Sequence, residues 1–214
     1  MNPVARFRHI VIEGPIGVGK TSLARRLAPT VGAQLLLEEP GENPFLERFY
    51  RDPARYALAT QMFFLFQRVR QMTDLAQLDL FRQHIVTDFL LAKDALFARL
   101  TLAEDELRLY ERTYAALSPQ APAPDLVIYL QAPADVLIER VMRRGHAAEA
   151  GISEGYLKSL IDGYVRFFHG YDEAPLLVVN TEHLNPVARD EDFALLLDRI
   201  ARMRGRREVF NLAA

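Results

Sequence analysis

The sequence predicts a three-layer α/β domain, a parallel sheet with helices on both faces. Three observations carry that reading. Short apolar runs alternate with longer helical stretches. The runs are apolar throughout rather than at every second position, as strands buried on both faces require. A glycine-rich loop joins the first run to the first helix. The 214 residues suit one such domain and supply enough apolar surface for a core.

Taken in order, residues 8–13 (RHIVIE) read as a buried strand, and a helix over 20–28 is expected to stop at Pro29. A second strand covers 34–37. The stretch 53–78 is a long helix whose centre, 62–66 (MFFLF), is apolar nearly all round and so is expected to be buried on several sides. Residues 84–88 (HIVTD) make a third strand, followed by helices over 93–100 and 104–117, the latter capped by Thr101 or the acidic run after it. A Pro/Ala-rich link leads to the clearest strand, 125–130 (DLVIYL). Helices over 133–144 and 153–169, a fifth strand at 176–180 and a helix over 190–204 complete the chain. The basic run 202–207 (RMRGRR) reads as a solvated helix end. The expectation is therefore a five-stranded parallel sheet in a single domain, 1–214, with no linker or internal repeat dividing it.

Composition narrows the chemistry. Half the residues are apolar and the formal net charge is −2, which argues against a general nucleic-acid or membrane-surface binder. Cysteine is absent, so thiol nucleophiles, disulfides and thiolate metal sites are excluded. Of 26 basic residues only Lys20, Lys93 and Lys158 are lysine. No stretch reads as a signal peptide or spanning helix, and the expected location is the cytoplasm.

The segment Gly14-Pro15-Ile16-Gly17-Val18-Gly19-Lys20-Thr21, followed by Ser22, matches the phosphate-binding loop G-x-x-x-x-G-K-[ST] between a strand and a helix. Such a loop turns backbone amides and a helix N-terminus toward phosphate. Lys20 then reaches the β- and γ-phosphates of a nucleoside triphosphate, and the Thr21 hydroxyl coordinates Mg²⁺. No N-K-x-D guanine-reading motif accompanies it, and Asp88 at the end of the third strand only partly matches the acidic strand end of an ATPase motor. Phosphoryl transfer to a small acceptor is the simplest reading.

The blocks HIVIEGPIGVGKTSLARRLA, LLLEEP, ENPFLERFYRDPARYALATQMFFLFQR and RRGHAAEAGISEGYL resemble, in this order, the deoxynucleoside kinases, and most closely their bacterial deoxyadenosine/deoxyguanosine branch. The resemblance implies transfer of the ATP γ-phosphate to the 5′-hydroxyl of a deoxynucleoside, with Mg²⁺, by a homodimer formed through the apolar helices. It implies a glutamate base. Anchoring on the Glu-Pro pair selects Glu39, which is preferred; anchoring on Asn43-Pro44 selects Glu38. It further implies Tyr50 at the sugar 3′-hydroxyl, Gln61 at the base edge, and Arg68 seven residues on along the same helix face. Anchoring on Asp88 puts Asp94 at the base-recognising aspartate, whereas anchoring on Phe97 shifts it by one, and Glu149 closes onto the 3′-hydroxyl from a lid over about 140–151. Arg140 and Arg144, four apart on one face, are the lid arginines that clamp ATP, with His146 where a third arginine often stands. Asp88 and Thr21 are implied as metal ligands, with Glu39 beside them. One departure is plain: the arginine expected after Asp88 is Phe89 here, and Lys93 is the candidate replacement. Two rivals remain, a nucleoside monophosphate kinase, which needs a second phosphate-binding arginine set, and a regulatory module that binds ATP without turning it over. Deoxyadenosine is the first substrate expected, among purines.

Overall fold

Strands that lack alternation need cover on both faces, and the computed structural model, which describes residues 3–80, 83–117, 122–145 and 151–212, supplies it. The strands are His9–Glu13 (β1), Gln34–Leu36 (β2), Ile85–Thr87 (β3), Leu126–Gln131 (β4), Leu176–Asn180 (β5) and Arg207–Phe210 (β6). Among the described residues they form one sheet in the order β2-β3-β1-β4-β5-β6, every neighbouring pair parallel. Successive strand residues point to opposite faces, so the burial of every residue in β1 and β3 places covering helices on both. Those helices are Lys20–Val31 (α1), Leu46–Arg51 (α2), Pro53–Leu80 (α3), Lys93–Thr101 (α4), Glu104–Leu117 (α5), Ala134–Arg144 (α6), Glu154–Gly170 (α7) and Asp190–Arg202 (α8). The main core gathers β1, β4 and β5 with Leu23 and Leu27 of α1, Leu160 and Phe168 of α7, and Leu196 and Ile200 of α8.

The sheet has six strands rather than the expected five, because the basic run after α8 turns into β6. Its arginines do not lie idle in solvent. Arg207 donates to the carbonyls of Phe168 (2.8 Å) and Tyr171 (2.6 Å), and Arg206 to that of Asp172 (2.5 Å). Cations here satisfy acceptors at the C-terminal end of α7, where the helix dipole favours positive charge.

Pro29 does not end α1. It sits in the last turn, and the helix stops at Gly32 (φ 66°), whose amide and that of Ala33 bond back to Pro29 and Ala28. Nor does Thr101 cap α5: its hydroxyl bonds the Phe97 carbonyl inside α4, while Glu106 accepts from the Ala103 amide. The apolar centre of α3 is not buried all round. Leu65 packs with Ala98 and Tyr110, but Phe66 is 54% exposed. The buried side of α3 also carries a polar set, Thr60, Gln61, Gln67, Arg68 and Gln71, beside Ala57, Leu65, Met72 and Leu75.

Replacing Arg207 with alanine leaves acceptors at the end of α7 without their donor. The expected outcome is a loss of about 1–2 kcal/mol in urea unfolding, the cost of unmet buried acceptors; an unchanged midpoint would show that water replaces the guanidinium.

Candidate active site

The turn from β1 to α1 runs beneath β4 and α6, which leaves no room for side chains. A Cβ at Gly14 would lie 2.4 Å from the Leu130 carbonyl oxygen and one at Gly17 3.0 Å from that of Leu137, and both residues have positive φ. Gly19 is the N-cap of α1 and no side chain caps the helix, so its first amides stay available to phosphate oxygens. Lys20 folds its ammonium onto the carbonyls of Gly14 (2.7 Å) and Pro15 (3.3 Å). Burial lowers its pKa, and the carboxylate of Glu13 opposes that shift.

A cavity of about 250 Å³ opens beside the loop. Gly17, Val18, Gly19 and Ser22 form one wall, Arg140 and Arg144 another, and the 185–188 turn a third. Arg26 of α1 pins that turn, donating to the carbonyls of Pro186 and Val187. Arg140 is braced on Thr181 through its hydroxyl (3.1 Å) and carbonyl (2.7 Å). Arg143 joins the lining, a third arginine that the lid pattern did not single out.

The ends of β1 and β3, the segment after β2, and the start of α4 converge on a buried charge cluster. Arg68, 1% exposed, donates to Glu38 (2.5 Å) and Gln71 (2.7 Å), and lies 3.4 Å from Asp94. Its guanidinium stacks 4.3 Å from the centre of the Phe89 ring. Lys93 opens α4 and places its ammonium 3.2 Å from Glu38 and 3.1 Å from Glu13. A cation at a helix N-terminus opposes the dipole, so these two carboxylates are what hold it there. Burial alone would raise Glu38, yet Lys93 and Arg68 hold it down at about 2. Burial pushes Asp94 up to about 6 against the pull of Arg68 and Lys93. Asp88 accepts from the Glu38 amide (2.7 Å) and from the Thr21 hydroxyl, which ties this cluster to the phosphate loop.

The Glu-Pro anchor pointed to Glu39, but the structure draws Glu38 into the cluster and leaves Glu39 exposed. Glu39 instead opens the 3₁₀ turn Pro40–Glu42, and its carbonyl accepts from Gln67. Gln61 is buried on α3, two helical turns from Arg68. Tyr50 packs with Phe49 and Tyr156, and Gly151 abuts it closely. His146 and Glu149 lie outside the described residues. Sequence reasoning missed Glu13. A carboxylate at the end of an otherwise apolar strand, next to the glycine loop, was its only signal.

Among the described residues no group of three or more His, Cys, Asp or Glu side chains could hold a metal ion by itself. A hydroxyl and a carboxylate, Thr21 and Asp88, already meet at the loop. That sparse oxygen set fits Mg²⁺, which keeps water and substrate phosphates as its other ligands.

Glu38 supplies a stability test. Its folded value lies below the usual 4.5, so its contribution is complete above 4.5 and is lost as pH falls toward about 2. Urea unfolding of Glu38→Gln should show a flatter pH dependence across that window than the parent chain. An unchanged slope would mean that the ion pairs do not hold in solution.

Residues 10–203 match the family model described as deoxynucleoside kinase. A deoxyguanosine kinase of Bacillus subtilis (strain 168) is 35% identical over 156 residues, 72% of this chain and 75% of its own. A deoxyadenosine/deoxycytidine kinase of the same organism is 27% identical over 200 residues, 90% of this chain and 91% of its own. The structure of deoxyadenosine kinase from M. mycoides with the products dCMP and a flexible dCDP bound aligns with a TM-score of 0.79 at 25% identity, covering 91% of this chain and 100% of that one. A phosphate loop joined to a buried carboxylate cluster, and a family match running through nearly every element of the sheet, lead to one conclusion: the chain belongs to the deoxynucleoside kinase family.

Proposed function

We propose that the protein transfers the γ-phosphoryl group of ATP to the 5′-hydroxyl of a purine deoxynucleoside, deoxyadenosine first, as a salvage step in the cytoplasm. The observation that carries this reading is Glu38, an ionised carboxylate fixed between Lys93 and Arg68 and bonded through its own amide to the Asp88 that touches Thr21. A carboxylate so held can orient a hydroxyl and take its proton. The new bond forms between O5′ and the γ-phosphorus as the bond from that phosphorus to the β–γ bridging oxygen breaks, leaving ADP and the 5′-monophosphate. The low basicity of Glu38 suits a loose transition state, in which the proton moves late. Thr21 and Asp88 would hold Mg²⁺, which when bound supplies charge neutralisation at the phosphates.

Lys93 takes the place of the arginine absent at position 89 and provides a cation beside the transferring group. This weighs against a module that binds ATP without turning it over. Lys20 and the loop amides hold the β- and γ-phosphates, and Arg140, Arg144 and Arg143 line the donor cavity. Gln61 suits adenine, whose edge pairs a donor with an acceptor, as an amide does. Arg68 is already engaged by Glu38, Gln71 and Asp94, and the described acceptor side carries no second arginine set for a monophosphate. Tyr50 and Glu149 would meet the 3′-hydroxyl, with the lid over about 140–151 closing on the single domain. A homodimer is supported by Phe66 on α3 and Leu109 on α5, 54% and 51% exposed on helices that pack together.

Two measurements test the reading. Competition among the four deoxynucleosides at limiting ATP should favour deoxyadenosine, and turnover of none of them would end the proposal. Lys93→Met should lower kcat by about 10²-fold, the scale of a lost transition-state charge partner, with KM for ATP little changed. A Lys93→Met variant with full turnover would remove lysine from the mechanism.

A further inference from the structure

Glu13 is 0% exposed; its Oε2 is hydrogen-bonded, and its Oε1 has an ion-pair partner but, among the described residues, no hydrogen bond. Oε2 accepts from the Tyr164 hydroxyl (2.9 Å) and the Gly14 amide (3.0 Å), and Oε1 faces the Lys93 ammonium at 3.1 Å. The backbone that carries it is the inner strand β1, flanked by β3 and β4. Tyr164 is itself fixed, stacked on Tyr129 and meeting Phe97 edge-on. Nothing in the reaction outlined above uses this carboxylate, and burying an anion is costly unless it is matched.

We propose that Glu13 is a positioning residue, which holds the Lys93 ammonium beside the reacting atoms while Glu38 takes the proton. This rests on the phosphoryl-transfer reading above. Lys93 is tied to two carboxylates of different fate. Glu38 loses its charge when it accepts the 5′-hydroxyl proton, and its grip on the ammonium weakens as that proton arrives. A lysine stem has four rotatable bonds, so a cation held by Glu38 alone would be released at that moment. Glu13 lies off that proton's path, because it is fully buried, with Oε2 hydrogen-bonded to Tyr164 and the Gly14 amide and Oε1 against the Lys93 ammonium. Glu13 is also the residue before Gly14, whose carbonyl holds Lys20 at 2.7 Å. The two lysines that open α1 and α4 are thus both referenced to one dipeptide at the end of β1. The cation beside the acceptor and the cation beside the donor keep a set spacing.

The test is a double-substitution cycle on the full chain, with steady-state phosphorylation of deoxyadenosine by ATP and Mg²⁺. Glu13→Gln should lower kcat by about tenfold or more with both KM values within about twofold, because Glu13 acts on the transition state through Lys93. In the Lys93→Met background the same change should have almost no further effect. Equal losses in both backgrounds, or none in either, would overturn the proposal, since a merely structural glutamate acts without regard to Lys93. Should Glu13→Gln fail to fold, Tyr164→Phe serves instead. It removes one donor from the carboxylate, and the expected loss of kcat is again confined to the chain that retains Lys93. A second readout needs no turnover. In protein with ¹⁵N-labelled lysine, Lys93 should give a slowly exchanging ammonium signal, absent from Lys93→Met and lost in Glu13→Gln. Persistence of that signal in Glu13→Gln would refute the anchoring even if no deoxynucleoside is turned over. Turnover that is absent in the parent chain while the signal behaves as expected would sink the functional reading and leave the anchoring standing.

Discussion

A cation removed from water stays charged only where anions surround it, and the buried cluster around Arg68 and Lys93 is arranged to meet that demand. Arg68 and Lys93 are almost fully buried, and Glu13, Glu38 and Asp94 lie around them. Desolvation costs several kcal/mol per ion, so breaking one pair strands its partner. The arrangement therefore dictates how secondary elements meet. Arg68 ties α3 to the segment after β2 and to α4, and Lys93 ties α4 to β1. Gln67 and Gln71 extend the same logic, donating to the carbonyls of Glu39 and Leu37 and holding the Glu38 loop against the helix. What looks like an oddity of α3, a polar set turned inward and a phenylalanine turned outward, follows from this requirement.

Phe89 and Lys93 shape the cluster together. The phenylalanine ring gives Arg68 a face to stack on, and Lys93, at the start of α4, brings a second buried positive charge. The two cations are not equivalent. Guanidinium is a planar fork whose direction is set by its bonds, whereas ammonium is a compact charge that takes its direction from whichever anions are nearest. A lysine therefore leaves the burden of orientation to its neighbours, and two carboxylates, Glu13 and Glu38, flank this one.

The strands, most of the helices and the phosphate loop were legible in the sequence because each is a repeated or ordered signal. Several apolar residues in succession mark a buried strand, and a spaced set of glycines before Lys-Thr marks a loop that grips phosphate. The parts that resisted are single residues whose meaning is set by distant partners. Glu38 and Glu39 are neighbours in sequence, and only the folded path of α3 decides which one faces inward. Glu13 is one charge at the end of an apolar run, and its partners come from α4 and α7, more than 75 residues away in sequence. β6 hid because an edge strand with alternating exposure needs few apolar residues, and its arginines are ordered by the carbonyls of a helix that sequence cannot bring near.

The scarcity of lysine has a chemical corollary. Lys20 is folded over its own loop and Lys93 is enclosed, which leaves Lys158 as the one lysine whose side chain stands mostly in water, 58% exposed beside Glu154. Amine-directed acylation, by a reagent or by an acetyl-transferring enzyme, would therefore find a single open lysine on the folded chain. Labelling there touches a surface pair on α7 and spares the ammonium groups of Lys20 and Lys93.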